Sequence, residues 1–415
     1  MSTSRAAAPL PGTLMLVLIT ACGGPNAPAP APTPVAAAPI AAAPEPVSPP
    51  PTTAVSPPAP TLPPVVRSIA AGSSHTCLLL SDTSVRCWGM NDEGQLGIAA
   101  PQAATPATIK GLTGVVELAL GDNFSCARRS DGTVECWGSD TMGQLGTGST
   151  LGATRATPAA VQGLAGATQI DAGDWHAAAL LGDGSLRFWG RNNVGQFGDG
   201  SEVDRPAPTP TPPLTGVKQI ALGGFHGCAV MADQTVQCWG WNEHGQLGDG
   251  SVGKLAVKRA PIVVPKLAGV KQLSLGENHS CALHDTGTVS CWGSNEYGQL
   301  GRGSRRDSTA PVAVAGLQGV VEISTGGYHS CARLTDGALR CWGSNGNSQL
   351  GDGSTHDRDA PVAVAEVGTA TQIVAGREHS CALRSDGAVW CWGRRPGLQF
   401  GRVTADGAWP GPVSL

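Results

Sequence analysis

One dipeptide constrains this chain more than any other feature. Trp-Gly recurs at Trp88, Trp137, Trp189, Trp239, Trp292, Trp342 and Trp392, with spacings of 49, 52, 50, 53, 50 and 50 residues. A Gly-x-x-(His)-x-Cys stretch or a variant of it precedes each copy, and a Gly-Gln-Leu-Gly element or a variant of it follows. Residues 311–354 show one whole unit: PVAVAGLQGVVEISTGGYHSCARLTDGALRCWGSNGNSQLGDGS. A chain of 415 residues would ordinarily suggest two or three domains. A period of about 50 residues with strand-like content argues instead for a propeller or an array.

Within a unit, VAVAGL, VVEIS, HSCARL and ALRCWG alternate or carry β-branched residues over four to six positions. Gly-Gly, Asp-Gly and Ser-Asn-Gly turn signals separate them, and no stretch holds a 3.6-residue apolar period. Four short strands in each of seven units predict an all-β, seven-bladed β-propeller over residues 65–415. The first unit lacks the Ala-Pro-Val strand that opens later units at Pro261, Pro311 and Pro361. The chain ends in Pro410-Gly411-Pro412-Val413-Ser414-Leu415, so the C-terminal strand is expected to close the ring by completing the first blade.

The signature G-x-x-H-S/T-C-A-L…D-G-x-V-x-C-W-G-x-N-x-x-G-Q-L-G-D-G resembles the regulator of chromosome condensation repeat over Val65–Leu415. The resemblance implies the propeller fold. Nuclear members of that family exchange nucleotide on a small GTPase and bind chromatin. A chain with an export signal and no basic tail departs from them, and that activity is not carried over.

Six units hold two Cys ten residues apart. The pairs are Cys77 and Cys87, Cys126 and Cys136, Cys228 and Cys238, Cys281 and Cys291, Cys331 and Cys341, and Cys381 and Cys391. A turn lies midway in each, so a hairpin sets the two opposite one another within disulfide reach. In the third unit both positions change together, to Ala178 and Phe188. Six disulfides are expected. Free buried thiols and metal sites are the alternatives, and no Cys or His converge between units to favour metal. Thirteen Cys without a C-x-x-C suit an oxidising compartment.

The N-terminus reads as an address. Arg5 and the apolar run Leu14–Ile19 suggest a secretory signal peptide over residues 1–21, too short an apolar run to span a bilayer. Ile19-Thr20-Ala21-Cys22 resembles a bacterial lipobox, with Cys22 as the lipidated residue; an ordinary signal peptide with a chance Cys is the alternative. Residues 22–64 form a Pro/Ala-rich linker, with 16 Pro and 11 Ala among residues 23–64. That composition predicts a disordered or polyproline tether. The expected location is the bacterial cell envelope, or the medium if Cys22 carries no lipid.

The net charge of −4 offers no footprint for nucleic acid. Residues that recur from unit to unit read as scaffold: the Trp, the Asp-Gly turns, and His75, His176, His226, His279, His329 and His379, with Phe124 in the second unit. Gly248–Gly253 fits G-x-G-x-x-G by letters but opens no helix. No cofactor or metal is expected.

Function is sought where repeats differ. The residue before His and the residue after Trp-Gly lie at one end of each hairpin and vary from Ser to Trp. They predict a crown on one face containing Trp175, Arg191, Phe225, Trp241, Tyr328, Glu378 and Arg394. Trp, Tyr and Arg dominate interface energy, although loop aromatics can also be partly buried. A surface-tethered, monomeric, non-enzymatic protein-binding module is expected, its partner an unknown extracellular or envelope protein. The alternatives are inhibition of an extracellular enzyme, which resemblance to secreted β-lactamase-inhibiting propellers implies, and a carbohydrate-binding or carbohydrate-cleaving propeller. Cleavage would need two or three carboxylates converging in the channel, and none stand out in the sequence.

Overall fold

The computed structural model describes residues 28–34, 63–149, 152–210, 214–253, 256–394 and 410–415. Residues 28–34 are exposed and carry no regular secondary structure. The signal segment 1–21, Cys22 and Trp409 lie outside the described residues.

From Val66 onward the described chain is all-β and makes seven four-stranded antiparallel sheets, the blades of a propeller. Each blade runs outward from the axis. Blade five is typical, with an inner strand Val270–Leu275, then His279–His284, Val289–Gly293 and an outer strand Ser308–Ala313. Outer strands carry Pro at Pro206, Pro261, Pro311 and Pro361. This suits a sheet edge, where a missing N–H costs no ladder bond.

The C-terminal segment does complete a blade, but not the first. Gly411–Pro412 pairs with Val389–Gly393 as the outer strand of blade seven. Blade one is built entirely from Val66–Thr108. The Ala-Pro-Val strand that opens a sequence unit is therefore the outer strand of the preceding blade. The ring closes through side chains instead. Gln372 accepts from the Ile69 amide at 2.8 Å and donates to the Ile69 carbonyl at 2.9 Å.

The expected Cys partners sit directly opposite one another on the two middle strands of their blades. Cys77 is bonded to Cys87, Cys126 to Cys136 and Cys228 to Cys238, each with a Cα–Cα distance of 4.1 Å. Cys281 is bonded to Cys291, Cys331 to Cys341 and Cys381 to Cys391, at the same 4.1 Å. Neither free thiols nor a metal site takes their place. Ala178 and Phe188 hold the same register in blade three, where Phe188 packs 5.6 Å from Phe197 and edge-on to Trp239 at 6.0 Å. These six covalent links fit an oxidising compartment. Among the described residues no helix is long and apolar enough to cross a membrane.

Adjacent blades are joined by two repeated hydrogen-bonded units. The Trp-Gly indoles of Trp137, Trp189, Trp239, Trp292, Trp342 and Trp392 each donate to the carbonyl of the Gln one blade back, at 2.7–2.9 Å. The buried His reaches the other way. Ser380 Oγ donates to the Gln349 carbonyl at 2.9 Å and so accepts from His329 Nε2 at 2.8 Å. That relay requires the neutral imidazole with its proton on Nε2. Burial, followed by the neighbouring His379 and His279, pushes His329 down to about 3.

Candidate functional site

The chemistry of Trp-Gly fixes where the variable residues point. Gly240 has φ +98°, and a Cβ there would stand 2.6 Å from the Phe225 carbonyl. Only glycine fits, because the chain turns back against the residue before His. The following amide then bonds that same carbonyl: Trp241 N to Phe225 O at 3.0 Å, Arg191 N to Trp175 O at 2.9 Å, Arg394 N to Glu378 O at 2.8 Å. The two variable positions of each unit are thus neighbours on one face.

On that face the expected crown residues fall into three groups. Blades three and four form the largest. Arg191 lies over the Phe225 ring at 5.5 Å, Phe225 meets Trp241 edge-on at 5.7 Å, and Trp241 meets His244 at 6.2 Å. Trp175 is half-buried beside Arg191 on blade three. On blade six Tyr328 packs edge-on against Tyr297 at 5.6 Å and sits next to Glu277 and Arg377. Burial, and then the nearby Glu277 carboxylate, pushes its hydroxyl up to about 12. On blade seven Glu378 and Arg394 are spent on each other as an ion pair. Trp390 is not part of this face: Arg384 covers its ring at 5.1 Å on the blade's third strand.

The sequence reading missed the centre of the face. The position just before the crown residue reads Ser73, Asp122, Asp174, Gly224, Glu277, Gly327, Arg377 around the ring. These residues surround the mouth of the axial channel, which has a volume of about 410 Å³. Neighbouring blades are tied there by main-chain bonds such as Asp122 N to Asp174 O at 3.1 Å. The same Ser-to-Arg variability that marked the crown was present one residue upstream.

Carboxylates do converge in the channel, contrary to expectation. Glu117, Asp171 and Glu322 line it, with Asp122, Asp174 and Glu277 at its mouth. Period-two alternation on a buried inner strand hid them. Glu117 and Glu322 occupy the belt position where blade one carries Ser68 and the other four blades carry Gln. Each stands opposite an Arg, with ion pairs of 2.6 Å to Arg128 and 2.7 Å to Arg333. Where the belt residue is Gln169, Gln219, Gln272 or Gln372, the opposite residue is apolar. Burial raises both glutamates, and the facing guanidinium opposes that rise.

Asp171 is likewise buried and pushed up to about 7, even though the Leu222 and Ala172 amides donate to it at 2.8 and 2.9 Å. Asp174 also rises to about 7, through burial and then the nearby charges of Glu277 and Asp122. Among the described residues no group of His, Cys, Asp or Glu is arranged to hold a metal ion.

Comparison with known proteins agrees with this geometry. The sequence matches the RCC1-like domain over residues 42–315 and 157–414. The chain belongs to the RCC1-like domain family. It is 32% identical to the Arabidopsis thaliana ultraviolet-B receptor UVR8 over 141 residues, 34% of this chain and 32% of that protein. It is 33% identical to human HERC3, a probable E3 ubiquitin-protein ligase, over 246 residues, 58% of this chain and 23% of that protein. The chain therefore matches about a third and under a quarter of the length of these relatives. Among solved structures, human WBSCR16 superposes with a TM-score of 0.70 at 25% identity, covering 78% of this chain and 87% of that one. Prp20p from Saccharomyces cerevisiae, whose binding to Gsp1p and histones has been examined, superposes with a TM-score of 0.69 at 24% identity over 77% of this chain and 83% of its own.

Proposed function

We propose that this RCC1-like propeller is a non-enzymatic protein-binding module whose crown face, led by Trp175, Arg191, Phe225 and Trp241, engages an extracellular or envelope protein. One observation carries the reading: Arg191, Phe225, Trp241 and His244 form a continuous run of ring contacts across blades three and four, the largest group on this face. Trp, Tyr and Arg grouped around a depression are the residue types that anchor protein partners. Tyr328, Glu378 and Arg394 belong to the rim of this surface. Export and lipidation at Cys22 would place the propeller at the cell envelope, with residues 22–64 as the tether; the six disulfides support an oxidising location.

The receptor and ligase activities in the names of UVR8 and HERC3 are those of proteins of which this chain matches 32% and 23%, and they are not assigned to it. A carbohydrate-directed role has one observation in its favour, the carboxylates of the channel. Two of them are already consumed by Arg128 and Arg333. Pulldown from an envelope and culture-medium fraction, comparing the intact chain with Trp175→Ala/Trp241→Ala, tests the reading. Equal capture by both removes the crown, and glycan-array binding by the intact chain would turn the reading to carbohydrate.

A further inference from the structure

One carboxylate at the channel mouth, Asp174, is an acceptor without a donor. Asp174 of blade three and Glu277 of blade five flank Gly224 of blade four. A Cβ on Gly224 would stand 3.0 Å from Asp174 Oδ2 and 3.2 Å from Glu277 Cγ, so two carboxylate side chains border one vacant side-chain position. The Asp174 side chain is half-buried, lines the channel, and its carboxylate makes no hydrogen bond among the described residues. Its neighbours are satisfied: Asp171 by two backbone amides, Glu117 and Glu322 by arginines. A carboxylate on the wall of a narrow channel with no donor of its own is an open site for a charge-assisted hydrogen bond.

We propose that this mouth seats a cationic side chain, a lysine or arginine at the tip of a loop of the protein partner, between Asp174 and Glu277. The inference rests on the protein-binding reading above and names the chemistry of its central contact. Charge complementarity selects the occupant. The groups facing Asp174 are Glu277, Asp122, Arg377 and Arg191. Arg377 reaches Glu277 Oε1 at 3.2 Å, and Arg191 lies over Phe225. An anion would meet three carboxylates, and a neutral group would leave Asp174 unpaired. The channel volume of about 410 Å³ accommodates one extended side chain. Phe225, next to Gly224 in sequence, and Trp241 beside it offer ring surface for the aliphatic stem.

The test uses the full chain with two capped pentapeptides, acetyl-Gly-Gly-Lys-Gly-Gly-amide and its Nε-acetyl-lysine counterpart, followed by ligand-observed NMR. The lysine peptide is expected to bind and the acetylated one not to. Binding should strengthen about tenfold from pH 6 to pH 8, as Asp174, at about 7 in the free protein, becomes ionised. Asp174→Asn should abolish both the binding and its pH dependence, and Glu277→Gln, an independent variant at the same seat, should weaken binding about tenfold or more. Equal binding of the two peptides, unchanged binding by Asp174→Asn, or no binding at all overturns the proposal. So does binding of calcium alone in the peptide's place, which would make the mouth a metal site. If the peptide fails while crown-dependent capture persists, only this inference falls. If the peptide binds while capture ignores the Trp double variant, the crown reading falls instead.

Discussion

Blade six and blade three share one backbone and hold it together differently. Blade six has the Cys331–Cys341 bond, accepts His279 at Ser330 and sends His329 to Ser380. Blade three has none of the three. Ala178 and Phe188 replace the Cys pair. At the interface with blade two, Phe124 packs against Ala177 where His and Ser would meet. At the interface with blade four, both ring nitrogens of His176 lack a partner, because Gly227 stands where other blades carry Ser or Thr. A Cβ at Gly227 would come within 2.9 Å of the Trp239 ring, which itself packs edge-on against Phe188. One aromatic cluster thus takes the place of a covalent bond and leaves no room for the hydroxyl. Polar relays and apolar packing are alternative ways to join blades, and changing one residue of the set requires changing the rest. This substituted blade also carries Trp175 and Arg191 of the crown.

The largest expected effect that separates the two blades comes from reduction. Each closed loop should contribute about 2–3 kcal/mol, so dithiothreitol should lower the melting temperature steeply. Hydrogen exchange should then rise in blade six and change least over residues 167–210. A uniform rise across the ring would show that blade three is not independently held.

Exchange of the two solutions comes next. Cys331→Ala/Cys341→Phe in blade six should cost about 2–3 kcal/mol in urea denaturation, because no Phe197 stands ready to receive the new ring. The reverse change, Ala178→Cys/Phe188→Cys, should form a seventh disulfide yet gain nothing, since losing the Phe188 contacts costs about 3–5 kcal/mol. A more stable double-Cys variant would break the account of the aromatic cluster.

The histidines set the acid limit. His75, His176, His226, His279 and His329 fall to about 3 and His379 to about 4, all chiefly through burial. The unfolded chain protonates them near 6.5, so below that pH the unfolded state binds more protons and stability falls toward pH 4. Asp171 and Asp174, raised to about 7, act oppositely in the same window but are fewer. Equilibrium unfolding at pH 7 and pH 5 should show the loss, and a flat profile would contradict the buried neutral state.

A smaller contrast sharpens the polar relay. His329→Phe should cost about 1–2 kcal/mol through lost hydrogen bonding, whereas His176→Phe, with no partner to lose, should cost less. Equal costs would mean the relay adds nothing. Smallest of all, Trp175→Ala/Trp241→Ala should change stability by about 0.5 kcal/mol or less while abolishing partner capture. A large loss of stability would class those rings as scaffold.

Much of this architecture was legible in one chain because the chain repeats itself. Ten-residue Cys spacing across a hairpin turn sets strand register, and Trp-Gly marks the turn that presents Phe225 and Trp241. Other features were hidden for identifiable reasons. Whether Gly411–Pro412 belongs to the first or seventh blade depends on which side of a sheet the outer strand joins, and repetition is silent on that. The hydroxyl that receives His329, Ser380 Oγ, lies 51 residues further on, across a blade boundary. Asp171 and Asp174 sit among small and apolar residues, with nothing local to separate a channel carboxylate from a surface one.

The sequence by itself determined the number of blades, the strand order within each, the Cys partners and the end of each hairpin that varies. These follow from local periodicity, turn chemistry and the identity of equivalent positions. Only the tertiary structure decided how the ring closes, which acids share the channel and which crown residues touch. Those outcomes depend on closing seven units around one axis, which brings Asp174, Gly224 and Glu277 side by side although they lie 50 or more residues apart along the chain.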